Sequence, residues 1–186
     1  MQIVITEWSY LFASDFNEQT FVHPDSRLMD RQTKIAVTLA RQICKKANAA
    51  RLAGQELGVV YHSDTGPLQS VAEYTLSLRR DGFTGVNPSK FPNIMAATPL
   101  SRVTAEIGAK GPCIPLLSPG GDKHRWLYAV RQIAEERCRA MILLHITKKL
   151  SCFGCFLEAS ETCKERYGQK YEAYIDLTQR CRNGNK

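Results

Sequence analysis

The chain has 186 residues, 44% hydrophobic and 23% charged, enough for one domain with a real core and too few for two large ones. Its formal net charge of +7 is scattered over small clusters at Lys45-Lys46, Arg79-Arg80, Lys123 to Arg125 and Lys148-Lys149, with no aromatic residues interleaved. That scatter argues against a nucleic-acid surface and fits a basic face meeting an acidic protein. No apolar run approaches membrane-spanning length, and Gln2 to Thr6 reads as a strand rather than a leader, so a cytoplasmic protein without a membrane partner is expected.

In chain order, Gln2 to Ile5 reads as a first strand and Trp8 to Pro24 as an irregular connection. Asp25 or Ser26 is the expected cap of a helix that carries Ile35, Leu39, Ile43 and Ala47 on one face, from about Asp30 to Ala50. Leu57 to Tyr61 is apolar without alternation, as in a parallel strand covered on both faces. After the turn-rich His62 to Pro67, a second helix carries Leu68, Val71, Tyr74, Thr75 and Leu78. Asp81 to Pro92 reads as loop, and Met95 to Ile107 as a third helix whose start Pro99 restricts.

The run from Gly111 to Val130 has a distinctive outline. A Gly-Pro turn leads into a short apolar strand, Cys113 to Leu117. Ser118, Pro119, Gly120 and Gly121 make a tight bend, and a helix follows from Asp122 to Glu136. Strand, bend and helix is the geometry that presents a nucleophile at a helix N-terminus, where backbone N–H groups can hold an oxyanion. Gly120 supplies backbone there and no nucleophile.

A strand from Ala140 to Ile146 completes the alternation, which predicts an α/β layered fold with a mainly parallel mixed sheet. Beyond Lys149 the pattern turns polar, with helices expected at Glu158 to Tyr167 and Tyr171 to Cys181. This divides the chain into a domain over 1–149 and a divergent helical tail over 150–186. Seven cysteines without a leader favour free thiols. Cys44, Cys113 and Cys138 read as core residues, and the Cys152-Phe153-Gly154-Cys155 pair lacks the second pair that structural zinc would need.

Several of these pieces, taken in order, resemble the N-terminal half of the β-ketoacyl synthase group of the thiolase-like fold. They are Leu28 to Thr33 opening an alanine-rich helix, Leu57 to Tyr61 with the Gly66 loop, Val86-Asn87-Pro88 through Phe91 to Ala97, and Arg102 through Gly111-Pro112. The resemblance covers about residues 1–147 and implies a thiolase-like half, a three-layer αβα unit. Aligned from Gly111-Pro112, the family's catalytic cysteine falls on Gly120, and Gly121, Asp122 and Lys123 replace the serines that follow it. Cys113, at the start of the strand, is expected to point into packing. The family's catalytic histidines and lysine lie in a C-terminal half with no counterpart here, and His23, His62, His124 and His145 match none of them.

A condensation needs a thiolate to carry the acyl chain and histidines to stabilise the enolate, so the resemblance implies a non-catalytic subunit of the chain-length-factor kind. Such a subunit pairs with an active ketosynthase, completes its acyl tunnel in polyketide, aryl-polyene or fatty-acid-type synthesis, and meets acyl carrier protein through the complex. No cofactor or metal is expected. The resemblance makes Phe91, Ile94, Met95 and Thr98 candidate tunnel or gating residues, each with ordinary packing as the plainer role. It makes Cys113, Ile114, Pro115, Leu116 and Leu117 the dimer interface, with Pro115 tolerated if its nitrogen faces away from the partner. Lys90, Arg79 and Arg80 are candidates for carrier-protein contact.

Half of a two-part fold exposes an apolar face, which calls for a partner or for cover by Cys152 to Cys181. Two other readings stand beside this one. One is a stand-alone scaffold or binding protein on the same half-fold, and the other is a hydrolase or transferase built from Ser118, His124 and Asp122, which lie too close in sequence for an ordinary triad.

Overall fold

Leu57–Ser63 is buried at all seven positions, as the unalternating apolar pattern predicts for a strand with neighbours and helices on every side. In the computed structural model, which describes residues 2–52, 54–119, 123–167 and 175–176, this strand (β2) lies inside a single mixed sheet. The other described strands are β1 (Ile3–Leu11), β3 (Cys113–Leu117), β4 (Ala140–Ile146), β5 (Cys152–Ala159) and β6 (Ile175–Asp176), in the order β3-β2-β4-β5-β1-β6. β2 is parallel to β3 and β4, whereas β5 is antiparallel to both β4 and β1. Strands β1 to β4 therefore run one way, giving the mainly parallel mixed sheet that the strand and helix alternation predicts.

Two apolar layers hold the sheet. On one face, Ile35, Leu39 and Ile43 of α1 (Arg31–Lys46) and Val103 of α3 (Thr98–Ile107) pack on Val59, Tyr61, Ile142, Leu144 and Phe156. On the other, Ala129 and Ile133 of α4 (Lys123–Ala134) pack on Val60, Met141, Leu143, Cys155 and Leu157. Burying each large aliphatic side chain contributes roughly 1.5–3 kcal/mol. Gly154 lets α1 approach closely, because a Cβ there would stand 2.4 Å from Ile43 Cδ1.

The structure departs from the sequence expectations at several boundaries. The first strand continues through Leu11, since Trp8 to Leu11 pair with Cys155 to Cys152 of β5. α1 is capped by Asp30, not Asp25 or Ser26; its carboxylate accepts the Thr33 N–H at 2.8 Å and the Ser70 hydroxyl at 2.7 Å. The helix ends at Lys46, before Ala50, because Asn48 adopts left-handed backbone with φ of 50°. Residues Pro88–Ile94 form 3-10 turns and α3 begins only at Thr98, with Pro99 in its first turn where a missing N–H costs nothing.

The helical tail is present in part, as α5 (Ser160–Tyr167). Cys152–Ala159 before it is a strand wedged between β4 and β1, so the chain does not divide at residue 149. Most of the expected helix from Tyr171 to Cys181 lies outside the described residues, apart from the two-residue β6. α2 (Leu68–Asp81) forms where expected but buries none of its residues fully. It rests on residues 83–94, with Tyr74 edge-on to Phe91 at 6.0 Å, rather than on the sheet.

Candidate functional site

The bend expected to present a nucleophile follows β3, but Gly120, Gly121 and Asp122 lie outside the described residues. What surrounds it is described. β3 is the first strand of the sheet, hydrogen-bonded to β2 on one side only. Cys113 and Leu117 are exposed at its ends, while Ile114, Pro115 and Leu116 are half-buried. The expectation that Cys113 points into packing is corrected: it is exposed, with its thiol donating to the Gly111 carbonyl oxygen at 3.2 Å. Cys44 is half-buried and Cys138 buried.

Backbone bonds fix which way β3 faces. Pro112 C=O accepts the Val59 N–H at 3.0 Å, and the Ser118 N–H donates to Ser63 C=O at 3.3 Å. Parallel pairing alternates, so residues 112, 114, 116 and 118 address β2 and Pro115 turns its nitrogen to the open edge. The condition stated for Pro115 is not met for a partner at that edge. A strand pairing there would meet the amides of Cys113 and Leu117 with a gap between them.

Phe91 and Ile94 sit on the 3-10 turns ahead of α3, Met95 just after them, and Thr98 on the first turn of α3. Phe91 and Met95 are 49% and 54% exposed, so neither takes the plainer core role. Lys90 and Asn93 of the same segment line a groove of about 440 Å³ shared with Arg27, Asp30, Ser70 and Tyr74.

Sequence reasoning missed a polar cluster at the carboxyl ends of β2 and β4. His62 and His145 are direct register partners on these parallel strands, with ring centroids 4.5 Å apart. His145 Nε2 lies 2.7 Å from Asp64 Oδ1, and the Lys148 N–H donates to Asp64 Oδ2 at 3.1 Å. Arg125 Nη1 lies 3.0 Å from His62 Nδ1. Guanidinium only donates, so Nδ1 accepts, and the Nε2–H donates to Ser118, whose C=O is 3.0 Å and Oγ 2.9 Å away. Burial, then His145 and Arg125, holds the His62 pKa below its ordinary value.

This tautomer matters chemically. His62 presents a proton to Ser118 rather than a lone pair, so it cannot take the serine's proton as a general base. Of the hydrolase residues, Asp122 lies outside the described residues, His124 is exposed, and Ser118 is held by His62. The only sequence signal for the cluster was His62 and Asp64 at the end of one apolar run and His145 within another. A loop reading of His62 to Pro67 hid their register.

The cysteine pair in β5 is split between the two faces of the sheet. Residues three apart on a strand point to opposite faces, and Cys152 packs on the α1 side while Cys155 packs on the α4 side. Burial pushes the Cys155 thiol up to about 12 and raises Cys152 further. On that α4 side the register also places Trp8 opposite Cys155 and Tyr10 opposite Phe153. Trp8, Tyr10, Phe12 and Leu127 are exposed. No helix among the described residues is long and apolar enough to cross a membrane.

No protein-family model and no curated protein sequence matches the chain. Solved structures do. A type II polyketide ketosynthase, AntDE, in complex with its acyl-carrier protein AntF superposes with a TM-score of 0.78 at 12% identity, over 89% of this chain and 65% of that one. The ishigamide ketosynthase/chain length factor gives 0.71 at 15% identity, over 87% of this chain and 63% of that one. A ketosynthase, ApeO, in complex with its chain length factor, ApeC, from Xenorhabdus doucetiae gives 0.60 at 12% identity, over 85% and 79%. The chain spans less than two thirds of the length of the first two. By these superpositions, its fold is the thiolase-like half-fold found in ketosynthases and chain length factors.

Proposed function

We propose that this chain is a chain-length-factor-like subunit without condensing activity of its own, which pairs with an active β-ketoacyl synthase and shapes its acyl tunnel. The observation that carries this reading is the open edge of β3. A strand with exposed Cys113 and Leu117 runs along that edge, and the sequence resemblance puts Gly120, three residues further on, at the family's nucleophile position. Ketosynthases with chain length factors are among the structures that share the fold, which supports the same role.

In this reading, Cys113, Ile114, Pro115, Leu116 and Leu117 form the interface, through side chains and the two amides flanking Pro115. Phe91, Ile94, Met95 and Thr98 form the tunnel wall or gate, Met95 being suited to an adaptable wall around a flexible acyl chain. Acyl carrier protein, acidic where this chain is basic, docks on the complex, with Lys90, Arg79 and Arg80 as contacts. The product belongs to polyketide, aryl-polyene or fatty-acid-type synthesis.

Pro115 gives a specific reason for a second reading, a stand-alone scaffold or binding protein, because proline at an open edge discourages strand addition. Size-exclusion chromatography after co-expression with candidate ketosynthases separates the two. Co-elution at a one-to-one ratio supports the subunit; a monomer that leaves every ketosynthase unaccompanied favours the scaffold.

A further inference from the structure

We propose that His62, Asp64 and His145 form a binding site for a divalent transition metal, of which Zn2+ is the best chemical match. A ring nitrogen of each histidine and a carboxylate oxygen of Asp64 lie within 4.8 Å of one another. Two imidazoles and one carboxylate are a donor set for Zn2+, Co2+ or Ni2+, and not for the all-oxygen shells of Ca2+ or Mg2+.

The placement is what distinguishes this cluster from an incidental ion pair. All three residues sit at the carboxyl ends of two adjacent parallel strands, where α/β sheets open towards ligands. His62 and His145 hold register positions directly opposite each other, so the backbone sets their spacing. His62 is fully buried, and the side chains of His145 and Asp64 are 14% and 16% exposed, which shields the donors from competing water.

Two of the donors are also oriented by the main chain, in the manner of metal ligands held by their outer contacts. The Ser118 carbonyl fixes the His62 tautomer through Nε2, leaving Nδ1 as the ring nitrogen that carries a lone pair, which Arg125 engages in this structure. The Lys148 N–H fixes Asp64 through Oδ2, leaving Oδ1 turned to His145. His145 Nε2 and Asp64 Oδ1 are hydrogen-bonded at 2.7 Å, and a tetrahedral ion would replace the proton between them and widen the pair to about 3.3 Å.

Arg125 supplies a built-in competitor. Its guanidinium occupies the Nδ1 lone pair that a metal would take, so metal entry requires this half-buried side chain, on the first turn of α4, to swing aside. The site then carries three protein ligands and a fourth position for solvent or a small anion. It adjoins the end of β3 through the His62 contact to Ser118, and metal binding is read on the chain alone, whether or not a ketosynthase binds that edge.

The test is titration of the full chain with Zn2+ by calorimetry and with Co2+ by visible absorption. The expected result is one saturable site per chain, a Co2+ spectrum of nitrogen and oxygen ligands, and loss of at least about a hundredfold in affinity in His145→Asn and Asp64→Asn. Arg125→Gln is expected to tighten binding by about tenfold, through removal of the competing donor and its charge. That variant removes one half-buried contact and leaves all three proposed ligands in place, which keeps the test decisive if the other two fold poorly. Absence of saturable binding, a spectrum dominated by thiolate charge transfer, equal affinity in His145→Asn, or no gain in Arg125→Gln would each overturn the proposal.

Discussion

Tyr61 and Pro115 stand opposite each other in the last ladder of the sheet, the tyrosine fully buried and the proline turning its nitrogen to the open edge. A proline in that place leaves β3 with amides at Cys113 and Leu117 and none between. This makes the edge a poor template for indiscriminate pairing while leaving its side chains available to a matched partner. Replacing Pro115 with valine restores the missing donor and favours the extended backbone. Pro115→Val should raise self-association of the isolated chain, read by light scattering during size exclusion as a shift from monomer towards dimer or larger species. An unchanged monomer would mean that the proline is not what keeps the edge unpaired.

Leu117 is 52% exposed at the end of the same strand, beside Gly66. A charge there is solvated in the free chain and desolvated in an interface. Leu117→Asp should weaken association with a ketosynthase partner by at least about tenfold. Its effect on the melting temperature should stay within roughly 2 °C, as for an ordinary surface change. Full-strength binding would remove Leu117 from the interface.

Cys113 provides a chemical probe of the edge. Burial raises its pKa, so its reactive thiolate is scarcer at neutral pH than in a free cysteine, and alkylation should accelerate about tenfold per pH unit up to its pKa. Cys44 and Cys138, pushed up to about 12, should lag behind it at every pH below that value. Mass spectrometry of iodoacetamide adducts gives the order, and a bound partner should protect Cys113. Labelling that ignores the partner would place the contact elsewhere.

Gly58 ties the sheet centre to the entry of β3. A Cβ at this position would lie 2.5 Å from the Pro112 carbonyl oxygen and 2.3 Å from Met141 Sδ. The methionine can yield, but the backbone oxygen accepts the Val59 N–H and cannot without shifting β3. Gly58→Ala should therefore cost about 1–3 kcal/mol in a denaturant titration and also weaken partner binding. A loss of stability with partner affinity intact would show that β3 is not displaced.

Much of this fold is legible in the sequence. The unbroken apolar runs at 57–61 and 140–146 mark strands covered on both faces, and the spacing of Ile35, Leu39 and Ile43 marks the face of α1. β5 is not legible, because Gly154, Glu158 and two cysteines interrupt its apolar pattern. Gly154 is explained by the approach of Ile43, which only the fold brings to it, while Glu158 stands in register between Val4 and Ala140. The exposure of α2 also escapes a reading by periodicity, which finds an apolar face without revealing whether the chain itself covers it. The histidine cluster depends on strand register, a relation between residues 83 positions apart that no local pattern carries.

The proposed role is that of a partner that sets the product length of an active ketosynthase. Its most direct test is the product profile of a co-expressed ketosynthase supplied with acyl carrier protein, assayed without this chain, with it, and with Met95→Trp. The expected result is a stable one-to-one complex whose products differ in length from those of the ketosynthase alone and are shortened by the tryptophan. Products of identical length in all three assays would contradict it.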